Sequence, residues 1–127
     1  MPSSSLIAIV DDDTDIPVAI SSLVRSLGYS AECFHSAEQL LHHSNLKDFL
    51  CIISDIHMPS MDGIELTNAL SDLERDLPVI LMTGRMEPAL AEKAYASGAI
   101  SVVAKPFSAE DLSAYLRKAS SLRHRDT

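Results

Sequence analysis

Leu50-Cys51-Ile52-Ile53-Ser54-Asp55-Ile56-His57-Met58-Pro59-Ser60-Met61-Asp62-Gly63 passes from a wholly apolar run to an acid and then to a turn. Leu50 to Ile53 contains two β-branched residues and no polar one, the pattern of a strand buried on both faces of a parallel sheet. A carboxylate at the carboxyl end of such a strand lies in the crevice above the strand tips, where open α/β sheets place ligands. Pro59 and the Asp62-Gly63 pair then turn the chain, and helical spacing resumes from Ile64. Asp55 is thereby set on a rigid base yet open to solvent, which suits a nucleophile.

Upstream, Leu6 to Val10 predicts a short strand whose tip carries Asp11-Asp12-Asp13. Thr14 is the expected cap of a helix with Pro17 in its first turn, where a missing N–H removes no hydrogen bond. Ile16, Ala19, Ile20, Leu23, Val24 and Leu27 then give one apolar stripe, closed by Gly28 as a left-handed cap. Ala31 to Phe34 reads as a second strand, and Ser36 with Gln39 has capping-box spacing for a brief helix carrying Leu40 and Leu41. The adjacent His42 and His43 diverge by about 100° on a helix, so they cannot share a metal and are expected on the solvated surface.

Downstream, Leu66, Ala69, Leu70 and Leu73 form the stripe of a third helix, which Pro78 ends before the strand Val79 to Met82. Thr83-Gly84 follows that strand, and Pro88 opens a helix through Leu90, Ala91, Ala94 and Tyr95 to Gly98. Ile100 to Ala104 is a fifth strand ending at Lys105-Pro106. Ser108 and Asp111 begin a last helix with Leu112, Tyr115, Leu116, Ala119 and Leu122 on one face. Five strands alternating with five helices through short connections predict an α/β, doubly wound, flavodoxin-like parallel sheet in the order 2-1-3-4-5.

The length of 127 residues fits one domain over 1–127, with residues 1–5 as a polar leader and 120–127 as a frayed end or the start of a linker. Hydrophobic residues make up 46% of the chain, enough for a three-layer core and too many for a disordered segment. The formal charge of −8 argues against direct contact with nucleic acid. Cys33 and Cys51 lie in apolar runs and are expected to be small core residues in a reducing, cytoplasmic compartment. No run approaches the roughly 20 apolar residues that span a bilayer, and no export leader is expected.

The expected topology gathers Asp11 and Asp12 from strand 1, Asp55 from strand 3, Thr83 from strand 4 and Lys105 from strand 5. Three carboxylates so close need a cation to offset their repulsion, and an all-oxygen site favours Mg²⁺. Thr83 and Lys105 add a hydroxyl and an ammonium, the set that holds the oxygens of a transferring phosphoryl group. In-line attack of Asp55 on a phosphoryl donor, giving an acyl phosphate, is the chemistry this set predicts.

Four marks now stand in order: Val-Asp-Asp at the end of strand 1, Ser-Asp-x-x-Met-Pro-x-Met-Asp-Gly, Thr-Gly after strand 4, and Lys-Pro-Phe. Together they make the chain resemble a response regulator receiver domain of the CheY-like superfamily over essentially its whole length. The resemblance implies a two-component signalling module, not an enzyme, in which Asp55 accepts phosphoryl from a histidine kinase or a small acyl phosphate. Only intrinsic self-phosphorylation and autodephosphorylation would remain to it as chemistry. It further implies Mg²⁺ on Asp12, Asp55 and the backbone carbonyl of His57, with Asp11 acting through water. Thr83 and Lys105 would take the phosphoryl oxygens, and Lys105-Pro106 would be cis. Asp13 matches no family ligand and is expected to be a solvated loop acid, while Met58 and Met61 are expected to pack around the turn.

Val102 stands where many receivers carry an aromatic switch residue, so signalling is expected to run from Thr83 and Gly84 through the loop to Pro88. That would remodel the face of helix 4, strand 5 and helix 5, through which a phosphorylated homodimer would form. His57 and Arg85 occupy the two positions that the family uses to tune the lifetime of the acyl phosphate. The Thr-Gly pair and the basic end resemble receivers fused to a helix-turn-helix output acting in transcription. The alternative is a stand-alone phosphorelay or adaptor receiver.

Other readings fit less well. An FMN-binding flavodoxin needs a phosphate-binding loop where this chain has Asp11-Asp12-Asp13-Thr14-Asp15, which repels phosphate unless a metal intervenes. A Mg²⁺-dependent aspartyl-phosphate hydrolase needs Thr or Val where Asp15 stands, and a calcium loop needs Gly at Ile16 and Glu at Ser22.

Overall fold

The computed structural model describes residues 5–43, 45–74 and 76–123; residues 1–4 of the leader and the tail at 124–127 lie outside the described residues. Its strands are β1 (Leu6–Val10), β2 (Ser30–Phe34), β3 (Phe49–Asp55), β4 (Val79–Thr83) and β5 (Ser101–Ala104). They pair in parallel as β2-β1-β3-β4-β5, the order expected from the alternating pattern. The helices are α1 (Ile16–Ser26), α2 (Ala37–Leu41), α3 (Gly63–Leu73), α4 (Pro88–Ala96) and α5 (Ala109–Arg123), and a short 3-10 turn at Leu46–Asp48 was not foreseen. Among the described residues no helix is long and apolar enough to cross a membrane.

The sheet divides the core in two. Ile20 and Val24 of α1 and Leu112, Leu116 and Ala119 of α5 pack on Ile7, Ile9, Ile53 and Ile80. On the opposite face Leu40 of α2, Leu66 and Leu70 of α3 and Ala94 of α4 pack on Ala8, Val10, Ile52 and Leu81. Every residue of β3 is buried, because it lies between β1 and β4 and is covered on both faces. Each fully buried isoleucine there contributes about 1.5–3 kcal/mol, so the strand that carries Asp55 is firmly held.

Register then positions the strand tips. Val10 pairs with Ser54 and Asp55 with Met82, so Asp11 stands level with Asp55. Thr83 pairs with Ala104, which sets Lys105 one residue past it on the neighbouring strand.

Several local expectations are corrected. Thr14 does not cap α1: Asp13 Oδ1 accepts from the N–H groups of Asp15 (2.7 Å) and Ile16 (3.2 Å) instead. Asp62-Gly63 is the start of α3, whose cap is a reciprocal box in which Asp62 Oδ1 accepts from Glu65 N–H at 2.8 Å and Glu65 Oε1 from Asp62 N–H at 2.9 Å. That helix stops at Leu73, before Pro78 is reached, and Leu73 is exposed, as is Tyr95 of α4. Cys51 is buried as expected, but Cys33 is exposed on the edge strand β2; both are free thiols.

His42 is exposed, whereas His43 is half-buried and lays its ring 5.7 Å from that of Phe34 and 5.1 Å from that of Phe49. Residues 120–123 are not frayed, because α5 runs to Arg123. Arg123 donates to the carbonyls of Phe49 (3.2 Å) and Lys47 (3.0 Å) and pairs with Glu74 at 3.2 Å. Gly28 and Gly98 do adopt the left-handed conformation, at φ 97° and 110°.

Candidate functional site

Each acid of the site is delivered by a strand end. Asp11 and Asp12 follow β1, Asp55 ends β3, and one carboxylate oxygen from each of the three lies within 4.8 Å of the others. Lys105, one residue past β5, places Nζ 3.4 Å from Asp55 Oδ1 and 3.8 Å from Asp11 Oδ2. Asp11 is 1% exposed and Asp55 7%, while Asp12 faces solvent. The pocket is therefore a pair of sheltered carboxylates with a third at the rim and one ammonium to offset them.

That offset is incomplete. Asp11 Oδ1 accepts the Asp13 N–H at 3.0 Å, but the buried Oδ2 has no hydrogen-bond partner, and Lys105 stands too far from it to supply one. Burial pushes the Asp11 carboxyl above its ordinary pKa; the Asp13 N–H opposes this, Asp55 adds to it, Lys105 opposes it, and Asp12 adds last. An orphaned buried oxygen beside two further carboxylates fits a hard cation with oxygen ligands, and the donor set contains neither thiolate nor imidazole nitrogen. Asp13 stands outside this set: it is exposed, and the N–H groups of Asp15 and Ile16 hold its carboxyl below the usual range.

Thr83, at the end of β4, is fully buried. Its Oγ1 donates to the Arg85 carbonyl at 3.1 Å, accepts the Arg85 N–H at 3.1 Å and lies 3.2 Å from His57 Nε2. The Thr83 carbonyl accepts the Lys105 N–H at 2.8 Å, which ties the two strand tips together, and the Lys105-Pro106 peptide is cis, as the resemblance implied. His57 is thus exposed but engaged, whereas Arg85 touches Thr83 through its backbone and is itself exposed.

The loop after Asp55 is pinned from both sides. Ile56 N–H donates to the Met82 carbonyl and Gly63 N–H to the Ile56 carbonyl, each at 2.9 Å. Gly63 packs so closely that a Cβ there would collide with the Asp55 carbonyl oxygen. Ser60 turns the loop at φ 67°, a left-handed conformation unusual for a residue with a Cβ. Met58 and Met61 pack, partly buried, against the core as expected.

Val102 is partly buried, and its N–H donates to the phenol oxygen of Tyr95 at 3.3 Å. An aromatic ring from α4 thus meets β5 at the residue where the family pattern has an aromatic side chain. Tyr95 was expected on this helix, with no partner foreseen on the fifth strand. Glu65 was missed as well, although Asp62-x-x-Glu65 has the same capping spacing as Ser36-x-x-Gln39.

The family model described as the response regulator receiver domain matches residues 7–117. Response regulator protein TodT of Pseudomonas putida is 40% identical over 119 residues, which cover 94% of this chain and 52% of TodT. Transcriptional regulatory protein FixJ of Bradyrhizobium diazoefficiens is 31% identical over 119 residues, 94% of this chain and 58% of FixJ. Among solved structures, a CheY-like response regulator receiver domain protein from Methanospirillum hungatei matches with a TM-score of 0.88 at 26% identity, covering 98% of this chain and 100% of that one. The crystal structure of FixJ-N matches at 0.83 with 28% identity, covering 95% and 96%. The chain spans about half the length of the curated relatives it matches. With the family model matched over residues 7–117 and the fold shared with these structures, the chain belongs to the response regulator receiver domains.

Proposed function

We propose that this receiver takes a phosphoryl group on Asp55 from a histidine kinase, or from a small acyl phosphate, and passes the change to an output. The observation that carries the reading is Asp55 Oδ1 at 3.4 Å from Lys105 Nζ, beside an Asp11 oxygen that has burial without a hydrogen-bond partner. Mg²⁺ held by Asp12, Asp55 and the His57 carbonyl, with Asp11 acting through water, would offset the carboxylates and the charge developing on the transferring phosphoryl group. Asp55 is the nucleophile: its oxygen forms the new bond to phosphorus as the donor's bond breaks and the donor group departs. Lys105 neutralises charge on the phosphoryl oxygens, and the Thr83 hydroxyl donates a hydrogen bond to another. His57 and Arg85 tune the lifetime of the acyl phosphate by hindering or orienting the attacking water. Self-phosphorylation and autodephosphorylation are the whole of its own chemistry.

The signal leaves through Thr83, Gly84 and the loop to Pro88 and alters the face of α4, β5 and α5, through which a phosphorylated homodimer forms. The output is transcription, carried by a further module in a cytoplasmic protein, with no contact to nucleic acid by this domain. The name of FixJ and the greater lengths of both TodT and FixJ support that output over a stand-alone relay.

The test is intact-mass spectrometry after incubation with acetyl phosphate and Mg²⁺, with Asp55→Asn as control. One phosphoryl adduct in the native chain, lost in the variant, is expected. No adduct, or an equal adduct in Asp55→Asn, refutes the assignment. Phosphomonoester turnover lost in Asp11→Asn and retained in Asp55→Asn would point to a hydrolase instead.

A further inference from the structure

A hydroxyl has one proton to donate and two lone pairs to offer, so three partners saturate it. Thr83 Oγ1 has three: the Arg85 carbonyl, the Arg85 N–H and His57 Nε2, at 3.1, 3.1 and 3.2 Å. With the proton on the Arg85 carbonyl and the Arg85 N–H on one lone pair, the other lone pair takes the Nε2–H of His57. None of the three partners is an acid of the site. A phosphoryl oxygen accepts only, so it needs the one proton that Thr83 is already giving away. Redirecting that proton breaks the bond to the Arg85 carbonyl, and turning the side chain to do so also breaks the bond to His57.

We infer that the His57 imidazole is a positioning residue which, by occupying a lone pair of Thr83 Oγ1, holds the hydroxyl toward the Arg85 loop and biases the unphosphorylated receiver to its resting state. The inference rests on the reading of Asp55 and Thr83 given above and adds a restraint to it. The short segment that carries the phosphoacceptor thereby also carries the group restraining the hydroxyl that must respond. His57 is exposed, so burial of its ring does not explain the contact, and its removal leaves no core cavity.

The probe is beryllofluoride with Mg²⁺, at one fixed pH for all variants. Two quantities are read: its dissociation constant, and the Thr83 methyl resonance of the ligand-free protein. Removing one neutral hydrogen bond to the resting hydroxyl is expected to tighten binding about two- to tenfold in His57→Ala. The ligand-free methyl signal should shift toward its ligand-bound position. His57→Gln, which keeps an N–H donor on a side chain of similar reach, should return both quantities to native values. In a Thr83→Ala background, which itself binds more weakly, adding His57→Ala should change nothing.

Unchanged or weaker binding in His57→Ala, or an equal gain without Thr83, overturns the inference. If the native chain shows no Asp55-dependent beryllofluoride binding, the receiver chemistry proposed above fails instead. The comparison of ligand-free methyl shifts between native protein and His57→Ala still decides the restraint in that event, and no movement overturns it.

Discussion

Replacing Asp11 by Asn keeps the shape of the side chain and removes one of three clustered negative charges. Two unit charges 4.8 Å apart, the separation that bounds the cluster, repel by about 3 kcal/mol at an effective dielectric constant of about 20. Lys105, 3.8 Å from Asp11, attracts by about 4 kcal/mol on the same scale and so offsets one of the two carboxylates, Asp55 and Asp12; the remaining repulsion and burial both favour removing the charge. A buried oxygen without a partner costs about 1–3 kcal/mol. Metal-free Asp11→Asn is therefore expected to be more stable than the native chain by about 1–3 kcal/mol, a rise in Tm of about 3–10 °C for a domain of this size.

Magnesium should narrow that gap. Free Mg²⁺ at about 100 times its Kd raises native stability by about 2.7 kcal/mol, and the variant, lacking one charge, gains less. The assay is thermal unfolding followed by circular dichroism at neutral pH, in EDTA and across a Mg²⁺ titration. A variant less stable than native in EDTA, or equal Mg²⁺ gains in both, refutes the reasoning.

The pH dependence has a definite sign. Burial raises the Asp11 carboxyl above its ordinary value of 3.8, so between those two values the folded chain binds more protons than the unfolded one. Native stability then falls as pH rises through that window. The metal-free gap between variant and native should be closed below the ordinary value, open across the window, and be complete above the raised one.

Gly63→Ala is expected to lose about 1–3 kcal/mol by urea unfolding, because its Cβ collides with the Asp55 carbonyl and meets Leu81 Cδ2 at 3.0 Å. It should also slow reaction with acetyl phosphate by displacing Asp55. Tyr95→Phe removes the acceptor of the Val102 N–H and should lower stability by about 1 kcal/mol, with faster hydrogen exchange at that amide. Arg123→Ala frees the carbonyls of Phe49 and Lys47 and the Glu74 carboxylate, and a loss of about 1.5–3 kcal/mol is expected in denaturant titration. Arg123→Lys should restore only part of it, since an ammonium cannot reproduce the guanidinium's fork.

What was legible in the sequence is what short-range pattern encodes. Apolar runs located all five strands, and alternation with helices ordered them, because parallel strands need crossovers and crossovers have one hand. Strand order then put Asp11, Asp12, Asp55 and Lys105 at one crevice, since a strand's tip is a property of its own segment. The misses are contacts between segments. His43 looks like a surface histidine until Phe34 and Phe49, from two different strands, are brought against its ring. Cys33 sits in an apolar run, but only the position of β2 at the sheet edge leaves it exposed. His57 and Thr83 are 26 residues apart, and no periodicity relates an imidazole on one loop to a hydroxyl on another. Asp13 took the capping role expected of Thr14 because the acid two residues before Asp15 reaches its N–H, as an Asx turn does.

The same division bears on how a receiver with Val102 transmits its state. Asp55 ends a strand buried along its whole length, and Asp11 directly follows the strand beside it, so attachment of a phosphoryl group cannot push the acids inward through a close-packed sheet. Displacement has to be taken up at the tips of β4 and β5, where the Thr83 carbonyl holds the Lys105 amide. Beyond them β5 is a sheet edge only four residues long, and its Val102 N–H is satisfied by the Tyr95 phenol of α4. If Thr83 shifts toward the phosphoryl group, as proposed, it would drag on the β5 tip through that carbonyl, and β5 would not move against α4 without straining the phenol contact. On the proposed function the aromatic that couples edge strand to helix is therefore supplied by α4 and read through the backbone of residue 102, where the family pattern supplies it from the side chain. Tyr95→Phe separates the two routes: it leaves ring packing intact and removes only the backbone link, so phosphorylation-dependent change at α4 should weaken while the acetyl phosphate adduct on Asp55 forms as before.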